Sequence, residues 1–316
     1  MKRNRLLIIA MILCFGNAIG QTSISVEKCP TIDKELTQKC RELMMKVSTE
    51  HQLDSVEAVV LETQKGQVKA WLSVKKESDV YVDGTLWKES CSSALMKPVF
   101  AIIALNERGF SLTDSIDTMA GEISIDGMIL RDHNWRKGGY GWITYQETID
   151  LESDIGLYRA IREGYGAERA KNMWMSLTHG MPWEINPGML IMTYNSFAHD
   201  GKVMIPDLES GEVEVEEDKT FSPSCRAMIR KALTFDKNRH TLHSWLDADK
   251  QWLAATARTK VTEKSYELAF CGYFPVTHPR YTICVIANKT GLPAGSKQLS
   301  GIVNPLAEWL SKRVIK

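Results

Sequence analysis

The chain has 316 residues, and its 39 lysines and arginines balance its 39 aspartates and glutamates. Proteins that bind nucleic acid by neutralising phosphates carry a basic excess, so a formal net charge of zero argues against a nucleic-acid partner. With 44% hydrophobic and 25% charged residues, the composition is typical of a globular protein with a substantial core. It excludes disordered and fibrous chains.

The N-terminus has the pattern of a secretory signal peptide. Positively charged Lys2, Arg3 and Arg5 precede an apolar run over residues 6–15 and small residues at 18–20. This pattern predicts cleavage near Gly20 and a periplasmic or secreted protein, with residues 21–316 forming one domain. The alternative is an N-terminal membrane anchor facing the periplasm, although the apolar run is shorter than the ~20 residues that cross a bilayer.

Six cysteines follow the predicted cleavage point. They are sparse for a chain of this length, which favours buried thiols over a disulfide framework, even though an extracytoplasmic compartment permits oxidation. Cys29 and Cys40 are the only local pair that we consider for a disulfide. The six are Cys29, Cys40, Cys91, Cys225, Cys271 and Cys284.

Hydrophobic periodicity predicts both helices and strands along the chain. An amphipathic helix is expected over residues 32–47, followed by a β-hairpin with strands at 58–61 and 67–72. A helix capped by Ser92 or Ser93 is expected to end at Gly109. Further helices are predicted over 145–162, 168–176, 187–200, 223–233 and 303–313, and further strands over 253–260, 266–274 and 281–288.

This order of elements predicts an α+β fold. We expect an antiparallel sheet of about five strands, packed between terminal helices on one side and a helical subdomain on the other.

An ordered set of short motifs resembles the transpeptidase domain of class B penicillin-binding proteins, in the serine acyl-transferase and β-lactamase superfamily. The order and spacing agree from about residue 31 to residue 313, without the N-terminal pedestal domain usual in that family. The motifs are VVLETQKGQVKA (59–70), MKP (96–98), DSIDT (114–118), GYGWIT (139–144), PGMLIMTYN (187–195), GK (201–202) and GYFP (272–275).

The resemblance implies a serine acyl-transfer site built from Ser-x-x-Lys at a helix start, Ser-x-Asn on a loop and Lys-Thr-Gly on a strand. All three motifs are degenerate in this chain. Ala94 stands where the nucleophile would be, three residues before Lys97. The loop motif reads Glu152, Ser153, Asp154, and the strand motif reads Arg258, Thr259, Lys260. A literal Lys-Thr-Gly at 289–291 is interpreted as a turn.

These departures predict a pseudoenzyme with no intact catalytic residue and a binding or regulatory role in peptidoglycan metabolism. Loss of the nucleophile alone costs a serine hydrolase on the order of 10^6 in kcat. One alternative is an active D,D-transpeptidase or carboxypeptidase that uses Ser93, four residues before Lys97; Cys91 is a weaker candidate nucleophile. Another is a non-covalent sensor of stem peptides or β-lactams. The expected partners are a peptidoglycan stem peptide or a cell-wall synthesis protein.

No cofactor or metal is expected. His240 and His243 could share a helix face, but no third ligand is in register with them. The segment Asp132, His133, Asn134 is interpreted as structural.

Residues 258 and 260 are two apart on a predicted strand, so their side chains lie on the same face of the sheet. The resemblance implies that this face lines the substrate cleft. We therefore predict that Lys97, Arg258 and Lys260 form ion pairs with Glu152 and Asp154 and fill the groove.

Overall fold

The computed structural model describes residues 26–84, 86, 93–125, 127–179, 185–217 and 221–313. The predicted signal segment, Cys91 and Ser92 lie outside these residues. None of the helices in the described part of the chain combines the length and the apolarity needed to cross a bilayer.

Within these residues the main sheet has six antiparallel strands in the order β10-β11-β12-β1-β2-β3. This confirms the predicted sheet and adds one short edge strand, β3, to the five expected. The strands are β1 Ser55–Glu62, β2 Gln67–Glu77, β3 Val80–Asp83, β10 Leu253–Lys260, β11 Ser265–Phe274 and β12 Tyr281–Thr290.

Helices cover both faces of this sheet, and the described residues also form three small antiparallel strand pairs. The helices are α1 Lys34–His51, α2 Lys97–Arg108, α3 Tyr145–Asp150, α4 Asp154–Tyr165, α5 Ala167–His179, α6 Pro187–Ser196, α7 Pro223–Leu233 and α8 Ser300–Ser311. The small strands are β4 Ser115–Asp117, β5 Glu122–Ile125, β6 Met128–Arg131, β7 Trp142–Thr144, β8 Lys202–Pro206 and β9 Val213–Glu217.

Successive side chains of the strands point to opposite faces of the sheet, so the core has two layers. Helices α1 and α8 pack on one face, where Val60, Phe270 and Leu306 belong to the same buried cluster. Helices α2, α4, α5, α6 and α7 pack on the other face, against residues such as Val59 and Ile286. The terminal helices and the helical body therefore enclose the sheet as predicted, because successive residues of the central strands β1, β11 and β12, which point to opposite faces, are nearly all buried.

Two details of the predicted elements are wrong. The helix expected over 145–162 is interrupted between Asp150 and Asp154. Lys289 and Thr290 are the last residues of β12 and not a turn, because β11 pairs with them and the Lys289 ammonium binds the carbonyl of His51 at the end of α1.

Cys29 and Cys40 are not joined by a disulfide. Cys29 belongs to the buried cluster beneath the helical body, whereas Cys40 belongs to the cluster beneath the terminal helices. The two residues thus pack in different core layers despite their proximity in sequence.

Candidate functional site

The start of α2 carries Ala94 and Lys97. The α-helix begins at Lys97 and follows a 3-10 turn over Ser93–Met96, with Met96 at the N-cap position of the α-helix and no side-chain capping bond from it. Ser92 lies outside the described residues, so the cap by Ser92 or Ser93 stays a prediction. In a 3-10 turn, residues three apart lie in line. Ala94, buried at 3% exposure, is therefore the position in line with Lys97. The side chain of Ser93 lies outside the described part of the structure.

A hydrogen bond joins helix α6 to this 3-10 turn. The hydroxyl of Tyr194 donates to the carbonyl oxygen of Leu95 at 2.7 Å. Tyr194 is itself fully buried, so the contact ties the backbone next to Ala94 to the core of the helical body.

Lys97 is held by a carboxylate and an aromatic ring. Its Nζ lies 2.8 Å from Oδ1 of Asp154 and 4.8 Å from the centroid of the Trp174 ring. Only 8% of Lys97 is exposed. A buried ammonium is stabilised by an opposite charge and by the electron-rich face of a ring. The predicted ion pair between Lys97 and the 152–154 loop is confirmed.

The loop itself is built by the break between α3 and α4. Ser153 caps α4: its Oγ accepts from the backbone N–H of Gly156 at 3.0 Å. The same Oγ donates to the carboxylate of Asp132, at 2.9 Å from one oxygen and 3.0 Å from the other. Asp132 also accepts from the backbone N–H of Ile155. The middle residue of the loop motif therefore has a structural role, as expected for Asp132.

Asp132 is almost fully buried, at 1% exposure. The pKa of its carboxyl is raised to about 6, because burial and, to a smaller extent, the charge of Asp154 outweigh the lowering effect of the hydrogen bonds from Ile155 and Ser153. The loop thus rests on a carboxylate whose charge is expensive to bury.

Glu152 adopts a left-handed backbone conformation, with φ +48. This conformation is uncommon outside glycine. It turns the side chain away from α4, so that Oε1 accepts from Oγ1 of Thr256 on β10 and lies 3.1 Å from Nε2 of His243. Burial alone would raise the pKa of Glu152, but hydrogen bonds from His243 and Thr256 and the charges of His243 and Lys97 together lower it.

A second polar contact lies beside this carboxylate. The hydroxyl of Tyr140 lies 2.6 Å from Nδ1 of His133. Burial lowers the pKa of His133, whereas the nearby charge of Glu152 raises it. Burial raises the pKa of Tyr140, and the carboxylates of Asp132 and Glu152 raise it further.

The strand side of the site differs from the prediction. Thr256, not Arg258 or Lys260, meets Glu152. Arg258 and Lys260 share the face of Thr256 but lie further along β10, where both are exposed. The guanidinium of Arg258 stacks on the ring of Tyr266, 5.0 Å from its centroid, and Lys260 pairs with Glu263 at 3.1 Å.

The prediction that these two cations pair with Glu152 or Asp154 is therefore wrong. None of the ion pairs recorded among the described residues joins them to the loop. Thr259, between them, points to the opposite face and is buried.

No family model matches the sequence, and no curated protein matches it. The structure, in contrast, is similar to a peptidoglycan glycosyltransferase from Burkholderia ambifaria, at a TM-score of 0.67 and 16% identity over 90% of this chain and 99% of that one. It is similar to the transpeptidase domain of penicillin-binding protein 3 from Burkholderia pseudomallei, at a TM-score of 0.67 and 18% identity over 89% and 94%. The fold is that of a penicillin-binding-protein transpeptidase domain.

A third similar structure is penicillin-binding protein 3 from Mycobacterium tuberculosis in complex with ampicillin. The TM-score is 0.64 and the identity 15%, over 89% of this chain and 77% of that one. The transpeptidase-like fold thus extends over nearly the whole chain.

Side chains capable of acyl transfer are not assembled around Lys97 in the part of the chain that is described. Ala94 has no hydroxyl, and the Ser153 hydroxyl is used by Asp132 and α4. His240 and His243 form no metal site with other residues: within the described ranges, no group of three or more His, Cys, Asp or Glu side chains could hold a metal ion.

Sequence reasoning missed three residues of the site: Trp174, His243 and Thr256. Thr256 could have been found, because it is one pleat before Arg258 on the same face. No local signal identifies Trp174 or the pairing of His243 with Glu152, since these contacts join residues that are far apart in the sequence.

Proposed function

We propose that this protein is a catalytically degenerate homologue of penicillin-binding transpeptidases, with a binding or regulatory role in peptidoglycan metabolism in the cell envelope. The observation that carries the proposal is the position of Ala94. It is the residue in line with Lys97 on the 3-10 turn, and a methyl group cannot form an acyl-enzyme.

The environment of Lys97 supports the same conclusion. In an active site of this kind the lysine takes the proton of the nucleophile. Here its ammonium is engaged by the carboxylate of Asp154 and lies against Trp174. The lysine therefore serves as a structural cation that joins α2 to the loop.

Retained ligand binding without turnover is the second candidate. Penicillin-binding protein 3 structures with the same fold hold ampicillin or aztreonam. In this chain Arg258 and Lys260 present exposed positive charge along β10, suited to the carboxylates of a stem peptide or a β-lactam. Such a ligand would bind non-covalently.

A fluorescent penicillin separates these functions from the active alternative. We expect no labelled band after the full-length protein is incubated with the penicillin and denatured, because no acyl bond forms. A stable adduct that disappears in Ser93→Ala would instead establish the enzyme that uses Ser93.

Calorimetric titration with a synthetic stem peptide then tests binding. A sensor shows saturable binding without turnover, weakened in Arg258→Ala/Lys260→Ala but not in Lys264→Ala, which removes an exposed cation from the turn after β10. Absence of any binding favours a scaffold that contacts another protein of the cell wall.

A further inference from the structure

We propose that Cys271 and Cys284 form a disulfide that joins β11 to β12 when the chain folds under oxidising conditions. This inference goes beyond the proposed function and does not depend on any ligand. It assigns a covalent modification to the core of the sheet, directly beneath helix α6.

The two cysteines are direct neighbours across the two strands. In the register of β11 and β12, Cys271 lies opposite Cys284. Both point into the cluster beneath the helical body, at 0% and 1% exposure. The thiol of Cys271 donates to the carbonyl oxygen of Leu190 on α6, and it is near enough to the thiol of Cys284 to raise the pKa of that group.

The ladder places this pair at a position that suits a disulfide. The N–H of Gly291 donates to the carbonyl of Lys264 at 2.7 Å, so these opposed residues form a hydrogen-bonded pair. Hydrogen-bonded and non-hydrogen-bonded pairs alternate along an antiparallel ladder. Cys271 and Cys284 lie an odd number of positions along the ladder from Lys264 and Gly291, so they form a non-hydrogen-bonded pair. Their Cα atoms are then about 4.5 Å apart, within the range of about 4.4–6.8 Å found for disulfides.

The bonding on the other side of β11 agrees with this assignment. The N–H of Val261 donates to the carbonyl of Ser265 at 2.9 Å. The backbone groups of the odd-numbered residues of β11 are therefore the ones that form hydrogen bonds with β10. Cys271 is odd-numbered, so its backbone groups bond towards β10, and its side chain lies close to that of Cys284.

Oxidation must precede closure of the sheet. Two thiols buried on inner strands are inaccessible to a disulfide reagent. The neighbouring Cys271 thiol and burial both raise the pKa of Cys284 well above its usual value, which suppresses the reactive thiolate. In the folding chain one thiolate attacks glutathione disulfide and releases one glutathione. The second thiolate then attacks the mixed disulfide and releases the other, so that two electrons pass from the cysteines to glutathione disulfide.

Refolding tests the proposal independently of where the protein is located. The full chain is unfolded and reduced, refolded with a mixture of glutathione and glutathione disulfide, then denatured, alkylated and mapped by mass spectrometry. We expect one linked peptide pair containing Cys271 and Cys284, lighter by two hydrogen atoms than the two reduced peptides together. Protein that is first folded in the reduced state and then exposed to the same mixture should yield both peptides alkylated.

Alanine variants identify the residues. Cys271→Ala and Cys284→Ala should abolish the linked pair, whereas Cys225→Ala, which removes another buried cysteine, should keep it. The oxidised protein should melt several degrees higher than the reduced protein, because the bond restricts the unfolded chain. Correctly refolded protein, judged by circular dichroism, in which both cysteines are alkylated would overturn the proposal.

Discussion

On the helix side of the site, Lys97 is buried and paired with Asp154, whereas on the strand side Arg258 and Lys260 are exposed and contact their own hairpin. The helix side is supported by backbone and core contacts: Tyr194 holds the 3-10 turn, and Asp132 holds the loop through Ser153. The strand side meets the loop through Thr256, whose hydroxyl donates to the carboxylate of Glu152.

This difference distinguishes residues that stabilise the fold from residues that a reaction would require. Residues that anchor the loop and the helix start stabilise the domain whether or not it is an enzyme. Side chains at the exposed end of an edge strand pack on little else, and their identity has a small effect on folding.

The largest effect is expected from the support of the loop, in Asp132→Asn. The carboxyl pKa of Asp132 is about 6 in the folded protein, above its ordinary value of 3.8. Between these values the folded state binds the proton more tightly than the unfolded state, so the contribution of Asp132 to stability falls as the pH rises through this window. Asparagine carries no charge and can still accept from Ser153 and Ile155.

The free energy of unfolding of Asp132→Asn, relative to that of the wild type, should therefore rise by about 2 to 3 kcal/mol between about pH 4 and pH 6. Above pH 6 this difference should stay constant. Urea denaturation at several pH values measures the difference. Asp117→Asn, at the end of β4, is the control for replacing one aspartate by asparagine elsewhere in the same part of the chain. A difference between Asp132→Asn and the wild type that does not change with pH would show that the charge of Asp132 is not what strains the loop.

An intermediate effect is expected from the two lysines. Lys97→Met removes a buried ammonium and leaves Asp154, 38% exposed, in water. We expect a loss of about 1 to 2 kcal/mol, because the solvation of Asp154 limits the cost of breaking the pair. Lys260→Met removes a surface partner of Glu263 and should change stability by less than about 0.5 kcal/mol. Equal losses in the two variants would remove the contrast between the two sides.

Much of this arrangement follows from the sequence. The apolar periodicity locates the sheet strands and terminal helices, and α7 and β10 begin and end where predicted. The sequence does not predict the break before α4, because Leu151 and Ile155, four residues apart, continue a helical pattern across it. Ser153 followed by Asp154 is nonetheless a helix-start signal.

The pairing of charges could not be predicted in the same way. The pleat correctly gives Thr256, Arg258 and Lys260 a common face, but it does not say which of the three is opposite Glu152. That depends on where the loop lies along the edge of β10, which in turn depends on the left-handed conformation of Glu152 and on its bond to His243. Long-range packing determines both.

The smallest effect is expected from restoring the missing hydroxyl. Ala94→Ser places an oxygen in line with Lys97, yet the ammonium is bound to Asp154, and Glu152 stands at the first position of the loop motif. A serine without a proton acceptor is a poor nucleophile. The variant should fold normally and form no adduct with a fluorescent penicillin, measured on a denaturing gel.

The double variant Ala94→Ser/Asp154→Asn releases Lys97 from its carboxylate. It should also remain unlabelled, because Arg258 and Lys260 on the strand side are unchanged. Rapid labelling of the single variant would show that the strand side is adequate for acylation, and labelling of the double variant alone would identify the Lys97–Asp154 pair as the remaining obstacle.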